Sequence, residues 1–445
     1  MTTGSEADAV RQTPFSSQNF ARENIQYSKT WFKGLQEAAL KGEPLAYVHV
    51  NVPLEIFHAM GINVVVNQWW SSIVGSQRKT LRYKALLKER GYRDNMCDYC
   101  SSGLASLLET DPDEAPWGGL PRPTVIVSGK YCDGVSKVFD IFSKEFGIPH
   151  FDMDPVVNPR SLSDVISTLG QNWKEEFDPL QIAAVVDQYR SLISFLEMHT
   201  GKTLDYTRLH EIVTLTEEHE SYYRETRSLM RTARPTPLNI GDQLPATVIP
   251  QWHRGTEWGR DRAKLFLENT RAIADTGGGA CPEEKYRLMW LGLGLWQNMS
   301  FYRTVQDELG AVFSWNEYLA LGADGYLVKD YGDPLETVVA RMVNVMTVVA
   351  NDQWYVNEVA NANLDGVVTM GMGSPVEGGA CRARPSMSVL MMKMAGIPVC
   401  EIDGDPINPE RFDEAAAMET IRRFIEDEVD PWVRAGRPIK PILEA

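Results

Sequence analysis

Residues Val125–Val156, "VIVSGKYCDGVSKVFDIFSKEFGIPHFDMDPV", decide the fold, because the same pattern returns later in the chain. An apolar strand leads through glycine to Cys132, a helical stretch follows, and Gly-Ile-Pro introduces a second strand that ends at Asp-Pro. The stretch "VVTMGMGSPVEGGACRARPSMSVLMMKMAGIPVCEIDGDPI", which begins at Val367, repeats this order around Cys381. Each cysteine stands 16 positions before the isoleucine of Gly-Ile-Pro. The repetition predicts equivalent βαβ units in two similar domains.

The rest of the chain alternates short apolar runs with helical stretches, which is typical of an α/β fold with parallel sheets. A length of 445 residues also favours two domains over one. Outside the second strand of the first repeat, the predicted strands are Tyr47–Val52, Ile62–Val66, Thr124–Ser128, Tyr286–Leu291, Ala311–Ser314, Val367–Met370 and Val399–Ile402.

Domain boundaries follow from the helical periodicity and from one proline-rich stretch. Residues 1–40 are predicted to form an N-terminal arm that is helical and partly disordered. Long helix-period segments without a strand pattern predict a helical insertion at about 160–232 within a first α/β domain, 41–235. The stretch "RPTPLNIG", Arg234–Gly241, carries two prolines and a glycine and marks the boundary to a second α/β domain, 236–445.

Composition excludes several classes of protein. The net charge of -16 argues against a nucleic-acid partner, because no basic surface would attract phosphates. The polar N-terminus does not have the pattern of a signal peptide, and no apolar run approaches the ~20 residues that cross a bilayer. We therefore expect a cytoplasmic protein without a membrane partner. Six cysteines over this length do not make a disulfide framework, so a special cysteine is expected to be a metal ligand or a catalyst.

Three cysteines are predicted to meet in a cleft between the domains. Cys132 and Cys381 each follow a strand and precede a helix, where ligands bind in open α/β sheets and where the helix dipole favours thiolate. Cys97, in "MCDYCSSG", precedes an apolar helix of the first domain and could reach the same cleft. Three converging thiolates suit an iron–sulfur cluster or zinc. A zinc site built on Cys97 and Cys100 would lack the second cysteine pair of a zinc ribbon.

Several motifs occur in a defined order between about Tyr47 and Phe412. They are "VNVPLEIFHAMGI", "MCDYCSSG", "IVSGKYCDGVSKVFDIF" with "GIPHFDMD", "EEKYRLMWLG", "DYGDPLETV", and "GGACRARPSMSVLMMK" with "GIPVCEIDGDPINPERF". Together they resemble the 2-hydroxyacyl-CoA dehydratase / benzoyl-CoA reductase family. Within this family, the chain is most similar to the larger benzoyl-CoA-reductase-type subunit. The features that favour this subunit are the segments "EEKYRLMWLG" and "DPLETV" and the chain length.

The resemblance implies two flavodoxin-like, doubly wound parallel-sheet domains with added helices and a [4Fe–4S] cluster in the inter-domain cleft. The motifs assign Cys97, Cys132 and Cys381 as its ligands and leave the fourth iron open. Members of the family pair with a homologous sister subunit, as heterodimers or heterotetramers, and receive a low-potential electron from a separate ATP-hydrolysing iron–sulfur activator. The implied activity is oxygen-sensitive radical chemistry, through a ketyl-type species, that dehydrates a hydroxyacyl-CoA or reduces an aromatic acyl-CoA.

Two other functions stay open at this point. The same family contains ATP-dependent reductases with a double-cubane cluster, which use more cysteines. Alternatively, the chain is a non-catalytic scaffold or an electron-transfer partner of an active sister subunit. Cys100 bears on this choice, because it would be a fourth ligand in an electron relay and is otherwise a small buried residue one helical turn from Cys97. We favour the second interpretation, because the family pattern is complete without Cys100. Cys281 is interpreted as a bystander thiol or a labile ligand.

Glu55 and His58, in "PLEIFHAMG", are the candidates for acid–base chemistry. They lie three positions apart on one predicted helix face, so both could serve a thioester substrate. The structural alternative is a carboxylate that stabilises the helix N-terminus together with a hydrogen-bonded histidine.

Substrate-binding candidates follow directly in the sequence. Trp69 and Trp70 could form the wall of an apolar acyl pocket, although adjacent aromatic residues more often divide between core and interface. Arg78 and Lys79 open the basic segment "QRKTLRYKALLKER", which could bind the phosphates of coenzyme A or form a solvated helix face.

Overall fold

The computed structural model describes residues 17–93, 96–130, 132–154, 166–281, 283–372 and 380–440. Within them the strands form two four-stranded sheets. The first sheet consists of β1 Leu45–Val48, β2 Asn63–Val66, β3 Val125–Gly129 and β4 His150–Met153, and the second of β5 Tyr286–Leu291, β6 Ala311–Asn316, β7 Gly366–Met372 and β8 Val399–Gly404.

Helices surround both sheets. In chain order they are α1 Ser17–Leu40, α2 Leu54–Ala59, α3 Asn67–Ser76, α4 Thr80–Glu89, α5 Asp98–Ser106, α6 Asp133–Phe146, α7 Ile166–Leu169, α8 Trp173–Glu176, α9 Pro179–Thr200, α10 Tyr206–Thr232, α11 Ile240–Gln251, α12 Glu257–Asp275, α13 Phe301–Leu309, α14 Glu317–Leu321, α15 Pro334–Val349, α16 Asp352–Asn361, α17 Ala380–Met394, α18 Glu414–Phe424 and α19 Asp430–Arg434. A π-helical segment, Gly322–Tyr326, links α14 to the stretch before α15. Within these ranges, no helix combines the length and the hydropathy that a membrane span requires.

Both sheets have the same topology. The strand order is β2-β1-β3-β4 in the first and β6-β5-β7-β8 in the second, and every neighbouring pair is parallel. This order is that of flavodoxin-like, doubly wound sheets. The central strands β1 and β3 are buried along their whole length, as expected when helices cover both faces of a sheet. The predicted α/β fold with two flavodoxin-like units is confirmed.

The sequence repeat corresponds to equivalent parts of the two sheets. The units β3-α6-β4 and β7-α17-β8 each supply the third and fourth strands of their sheet. Gly147 follows α6 with φ 61° and Gly396 follows α17 with φ 78°, so the glycine of each Gly-Ile-Pro takes the left-handed conformation that ends a helix. Cys132 stands immediately before α6, and Cys381 is the second residue of α17.

Each predicted strand overlaps an observed strand, but the first one begins and ends earlier in the chain than predicted. The first strand was expected at Tyr47–Val52, but β1 occupies Leu45–Val48. The backbone N–H of Val50 donates to the side-chain oxygen of Gln68 at 2.9 Å and not to a neighbouring strand, so the strand does not extend to Val52. The second strand of the first repeat is β4, as predicted.

The region of the chain between β4 and β5 contains long helices. In the described part of it, residues 166–232, helices α7 to α10 occur without a strand. α10 ends at Thr232 and α11 begins at Ile240, so the predicted boundary stretch Arg234–Gly241 lies partly between these helices and partly in the first turn of α11. α15, from beyond this linker, nevertheless packs into the core around the first sheet through buried residues such as Leu335 and Val339. The domain division at 235 stays a prediction.

The loop that follows β8 packs against the helices of the first sheet. The hydroxyl of Thr80 donates a 2.7 Å hydrogen bond to the carbonyl of Ile407. A Cβ atom at Gly75 would lie 2.6 Å from the side chain of Ile407, so only glycine permits this approach. The loop thereby holds the second sheet against α3 and α4, beside α5, which follows Cys97 and carries Cys100.

Candidate functional site

The topology indicates where a ligand site should lie in the first sheet. Ligands of doubly wound sheets bind beyond the carboxyl ends of the strands, where the strand order reverses. In this sheet the reversal lies between β1 and β3. His49 follows β1 directly, and Cys132 comes three positions after the end of β3. Both residues therefore lie at the expected site.

Two helix N-termini bring three cysteines together at this point. Cys97 immediately precedes α5, Cys100 lies one turn further along it, and Cys132 immediately precedes α6, which packs against α5. The thiol of Cys100 is within hydrogen-bonding reach of the thiols of both Cys132 and Cys97. Cys100 is buried, whereas the other two are half-buried. The structure thus brings the predicted Cys97 and Cys132 together and adds Cys100 to them.

Local electrostatics distinguish the three thiols. The Cys132 sulfur accepts a 3.3 Å hydrogen bond from the backbone N–H of Val135, as a helix-capping residue does. Hydrogen bonding with the Cys132 and Cys97 thiols raises the pKa of Cys100 well above its usual range, and burial raises it further. Burial lowers the pKa of the neighbouring His49 to about 4, although the Cys132 thiol opposes the shift, so His49 is neutral at pH 7.

Hydrogen bonds fix α5 against β1 and α3. The side-chain amide of Asn67 donates to the carbonyl of Tyr99 at 3.2 Å and accepts from the hydroxyl of Tyr47 at 2.8 Å. The hydroxyl of Ser71 donates to the same Tyr99 carbonyl at 2.5 Å. A Cβ atom at Gly103 would lie 2.3 Å from the Tyr47 ring. The glycine of "CDYCSSG" is therefore required for α5 to lie this close to the strand.

Cys381, the third predicted ligand, is described only by its backbone. Cys381 precedes the isoleucine of its Gly-Ile-Pro by the same 16 positions as Cys132, but its side chain lies outside the described residues. Among the side chains that are described, no group of three His, Cys, Asp or Glu residues is arranged to hold a metal ion. The donor chemistry still fits an iron–sulfur cluster, since the converging groups are soft thiols at helix N-termini. The ligand set stays a prediction.

Glu55 lies in a buried ion-pair cluster. Its side chain is 1% exposed, and Oε1 accepts hydrogen bonds from Arg254 Nε at 3.1 Å and from Arg341 Nη1 at 2.9 Å. Burial raises the pKa of Glu55, but the two guanidinium groups more than offset this and bring it to about 2. Glu55 is therefore ionised at every physiological pH.

His58 lies beside the same cluster. Burial lowers its pKa to about 4, against the opposing effect of the Glu55 carboxylate, so the imidazole is neutral at pH 7. Its Nδ1 atom has no hydrogen-bond partner among the described residues. The two predicted acid–base residues thus share one environment but differ in charge, since Glu55 is a carboxylate anion and His58 is a neutral imidazole.

Comparison with known proteins identifies the family of the chain. Residues 49–427 match the family described as 2-hydroxyglutaryl-CoA dehydratase, D-component. The chain belongs to this family.

Three curated relatives match most of the chain. The chain is 24% identical over 406 residues to the (R)-2-hydroxyisocaproyl-CoA dehydratase alpha subunit of Clostridioides difficile, and the match spans 88% of this chain and 91% of that protein. It is 22% identical over 382 residues, 85% of this chain and 88% of the relative, to the (R)-phenyllactyl-CoA dehydratase alpha subunit of Clostridium sporogenes. It is 21% identical over 413 residues, 88% of this chain and 92% of the relative, to the lactoyl-CoA dehydratase subunit alpha of Anaerotignum propionicum. The predicted family resemblance is confirmed.

In this member of the dehydratase family, Trp69 and Trp70 lie in an aromatic core. Trp70 is fully buried, and its indole N–H donates a 2.6 Å hydrogen bond to Ser106. Trp69 packs edge-on against Trp31, with ring centroids 5.3 Å apart, and against Trp117 at 5.7 Å. These contacts are those of core residues. A role in an acyl pocket stays a prediction.

Arg78 and Lys79 lie at the turn between α3 and α4. Arg78 is exposed, in the left-handed conformation with φ 58°, whereas Lys79 forms a 2.7 Å ion pair with Glu114. Arg78 is thus the better placed of the two to receive a phosphate. Binding of coenzyme A by these residues stays a prediction.

Glu220 is a candidate that the sequence analysis missed. It lies on α10 and is fully buried near Glu55, with which it interacts electrostatically. A signal was present in the sequence, because Glu220 falls on the helical face that also carries Leu209, Val213 and Tyr223. A carboxyl group at an apolar position of an amphipathic helix indicates a special environment.

Proposed function

We propose that this chain is a subunit of a 2-hydroxyacyl-CoA dehydratase and removes water from a hydroxyacyl-CoA as part of a complex. The observation that carries the proposal is the convergence of the Cys97 and Cys132 thiols at two helix N-termini, at the ligand-binding end of the first sheet. The matched relatives are alpha subunits of dehydratases, which favours dehydration over reduction of an aromatic acyl-CoA.

Cys97, Cys132 and Cys381 would hold a [4Fe–4S] cluster. When bound, such a cluster supplies one-electron chemistry, and an iron without a protein ligand acts as a Lewis acid. The chain contributes the positions of Cys97 and Cys132 at the starts of α5 and α6. The Cys132 sulfur accepts a hydrogen bond from the backbone N–H of Val135 at the start of α6, and the neighbouring imidazole of His49 is neutral.

Glu55 and His58 would carry the acid–base work. Dehydration requires one proton to leave a substrate carbon and the hydroxyl group to depart, together forming water. Glu55 is ionised, as a base must be, although its two arginine partners lower its affinity for a proton. Among the described residues the Nδ1 atom of His58 has no hydrogen-bond partner, so it would accept a hydrogen bond from the substrate.

The complex would require partners. The word "alpha" in the names of the relatives supports a homologous sister subunit. One-electron chemistry at low potential would need an electron donor driven by ATP hydrolysis. The sequence has no phosphate-binding loop of the P-loop type, so ATP hydrolysis is assigned to a separate iron–sulfur activator. Arg78, exposed at its turn, is the candidate for the phosphates of the acyl-CoA.

One observation favours a second function, electron transfer to the sister subunit. The Cys100 thiol lies within reach of both Cys97 and Cys132. If Cys100 completed a four-cysteine set, the cluster would have no open iron and would serve only as a relay.

Metal and activity analysis on the anaerobically purified chain tests the proposal. Cys97→Ser, Cys132→Ser and Cys381→Ser are compared with Cys400→Ser, a control at a buried position of β8. We expect about four iron and four sulfide ions per chain, lost in the first three variants and retained in the control. We also expect the complex with sister subunit and activator to dehydrate a 2-hydroxyacyl-CoA. Bound zinc, or iron that survives all three substitutions, would contradict the cluster assignment.

A further inference from the structure

A second carboxyl group shares the buried environment of Glu55. We call this environment the two-glutamate chamber. It is formed by α2, α10, the turn between α11 and α12, the π-helical segment and α15, and the residues that define it are Glu55, His219, Glu220, Arg254 and Arg341. None of these five residues is more than 2% exposed.

The two glutamates of the chamber have different partners. Glu55 accepts hydrogen bonds from both arginines, whereas neither side-chain oxygen of Glu220 has a hydrogen-bond partner among the described residues. An ionised carboxylate without a partner is very costly to bury. Glu220 is therefore a neutral acid in the folded chain, while Glu55 is an anion.

Close packing holds Glu220 in place. A Cβ atom at Gly322 would lie 2.9 Å from Glu220 Oε2 and 3.2 Å from Gln251 Nε2, so the π-helical segment approaches the carboxyl group with glycine only. On its own helix, the ring of His219 packs edge-on against Tyr223, with centroids 4.7 Å apart. Both nitrogens of His219 also lack a hydrogen-bond partner within the described part of the chain.

The charges around Glu220 keep its proton exchangeable. Burial raises the pKa of Glu220 to about 8, the guanidinium groups of Arg254 and Arg341 oppose this, and Glu55 adds to it. An acid in this range can release and regain a proton near neutral pH. The titratable and charged groups that act on the chamber are Glu55 and His58 on α2, His219 and Tyr223 on α10, His253 and Arg254 in the turn, Tyr326 in the π-helical segment and Arg341 on α15. Asp324 of the π-helical segment forms a buried ion pair with Arg227 of α10.

Two carboxyl groups in contrasting environments are the usual arrangement of an acid and a base. We propose that Glu220 stores the proton of the two-glutamate chamber and exchanges it with Glu55 during turnover, an inference that rests on the proposed dehydratase function. Glu220 releases its proton, which leaves with the departing hydroxide as water. Glu55 accepts a proton from the substrate carbon and passes it to Glu220. Both carboxyl groups then regain their starting states, so the protons balance.

Infrared spectroscopy of the folded chain tests whether Glu220 holds the proton. We expect the carbonyl band of a protonated carboxyl group at pH 7, shifted in ²H₂O, absent from Glu220→Gln and lost as the pH passes about 8. Glu225→Gln, at an exposed position of the same helix, should keep the band. A wild-type spectrum without this band at pH 7, or a band that survives in Glu220→Gln, would overturn the proposal. The titration of the wild-type chain gives an answer even if the variant does not fold.

Kinetics of the assembled complex test the exchange. Glu220→Gln should lower kcat by roughly 10²-fold with little change in KM and should remove the ionisation near pH 8 from the pH profile. Glu220→Asp should restore part of kcat. If kcat and the pH profile of Glu220→Gln were unchanged, the proton of Glu220 would have no part in turnover, and the proposal would be overturned. A wild-type complex that shows the band but dehydrates no hydroxyacyl-CoA would instead contradict the proposed function, and the exchange role with it.

Discussion

The side-chain amide of Asn408 donates a 2.7 Å hydrogen bond to the carboxyl group of Asp98. Asp98 is the first residue of the helix that carries Cys100, and Asn408 lies in the loop that follows the second sheet. Both side chains are buried. This contact couples the position of two thiols to the packing of the second sheet against the first.

Removal of this contact should loosen the thiol site. Asn408→Ala leaves the buried Asp98 carboxyl group without its donor, which costs about 1–3 kcal/mol of unfolding free energy. We also expect Cys97 and Cys100 to react faster with a thiol reagent. Denaturant unfolding and timed thiol labelling measure the two effects.

Asn298→Ala is the matched control, because Asn298 makes the same type of amide–carboxylate hydrogen bond to Glu414 at an exposed position. Its unfolding free energy should change by no more than about 0.5 kcal/mol. Equal effects of the two substitutions would show that the buried contact has no special role.

Substitution of Glu55 should destabilise the folded chain strongly. Glu55→Gln leaves Arg254 and Arg341 buried without their anion, which should lower the unfolding free energy at pH 7 by about 3–5 kcal/mol. The folded pKa of Glu55 is about 2, below the ordinary 4.5, so its contribution is present above pH 4.5 and is lost as the pH falls towards 2. The difference between variant and wild type in denaturant titrations should shrink over that window.

Glu114→Gln provides the comparison. It removes a surface ion pair with Lys79, which is worth about 1 kcal/mol at most. If Glu55→Gln lowers the unfolding free energy by no more than Glu114→Gln does, water must solvate the two arginines in the two-glutamate chamber, contrary to the buried contacts.

The fold could be predicted because its signals are local. The repeat around Cys132 and Cys381 depends on strand, helix and glycine patterns within about 40 residues, and these patterns act independently of the rest of the chain. The partners of Glu55 are 199 and 286 positions away, so no local pattern could show that its charge is neutralised by two arginines. The proximity of these three side chains is decided by how α2, α15 and the turn between α11 and α12 pack together.

The candidate site was predicted in part for the same reason. Cys97 and Cys132 were expected together because each stands at the start of a helix, which the sequence displays. Cys100 was interpreted as a small buried residue, because the family pattern is complete without it. Its proximity to Cys132 is a tertiary feature that the sequence does not display. Glu220 was missed because its residue type, read alone, is that of a helix surface; only its place on the buried face of α10 distinguishes it.

Glu220→Gln should stabilise the folded chain relative to wild type, and this stabilisation should grow as the pH rises. The folded chain keeps this proton up to about pH 8, whereas the unfolded chain releases it near pH 4.5, so an increase in pH across this window favours the unfolded state. Glu220→Gln removes the penalty. Its unfolding free energy relative to wild type should increase by up to about 1.4 kcal/mol per pH unit between those limits and then level off. A constant difference from pH 5 to pH 8 in denaturant titrations would contradict a buried neutral acid.

Cys100 decides between the catalytic and the electron-transfer functions. If Cys97, Cys132 and Cys381 are the ligands, Cys100→Ser should keep the iron and sulfide content of the wild type and leave the Mössbauer spectrum unchanged, because serine fills nearly the same buried volume. Cys97→Ser, one helical turn away, is the matched variant and should lose the cluster. Conversion of one iron site in Cys100→Ser from sulfur to oxygen ligation would assign Cys100 as the fourth ligand. The chain would then hold a cluster without an open iron, and substrate dehydration would have to take place on its sister subunit.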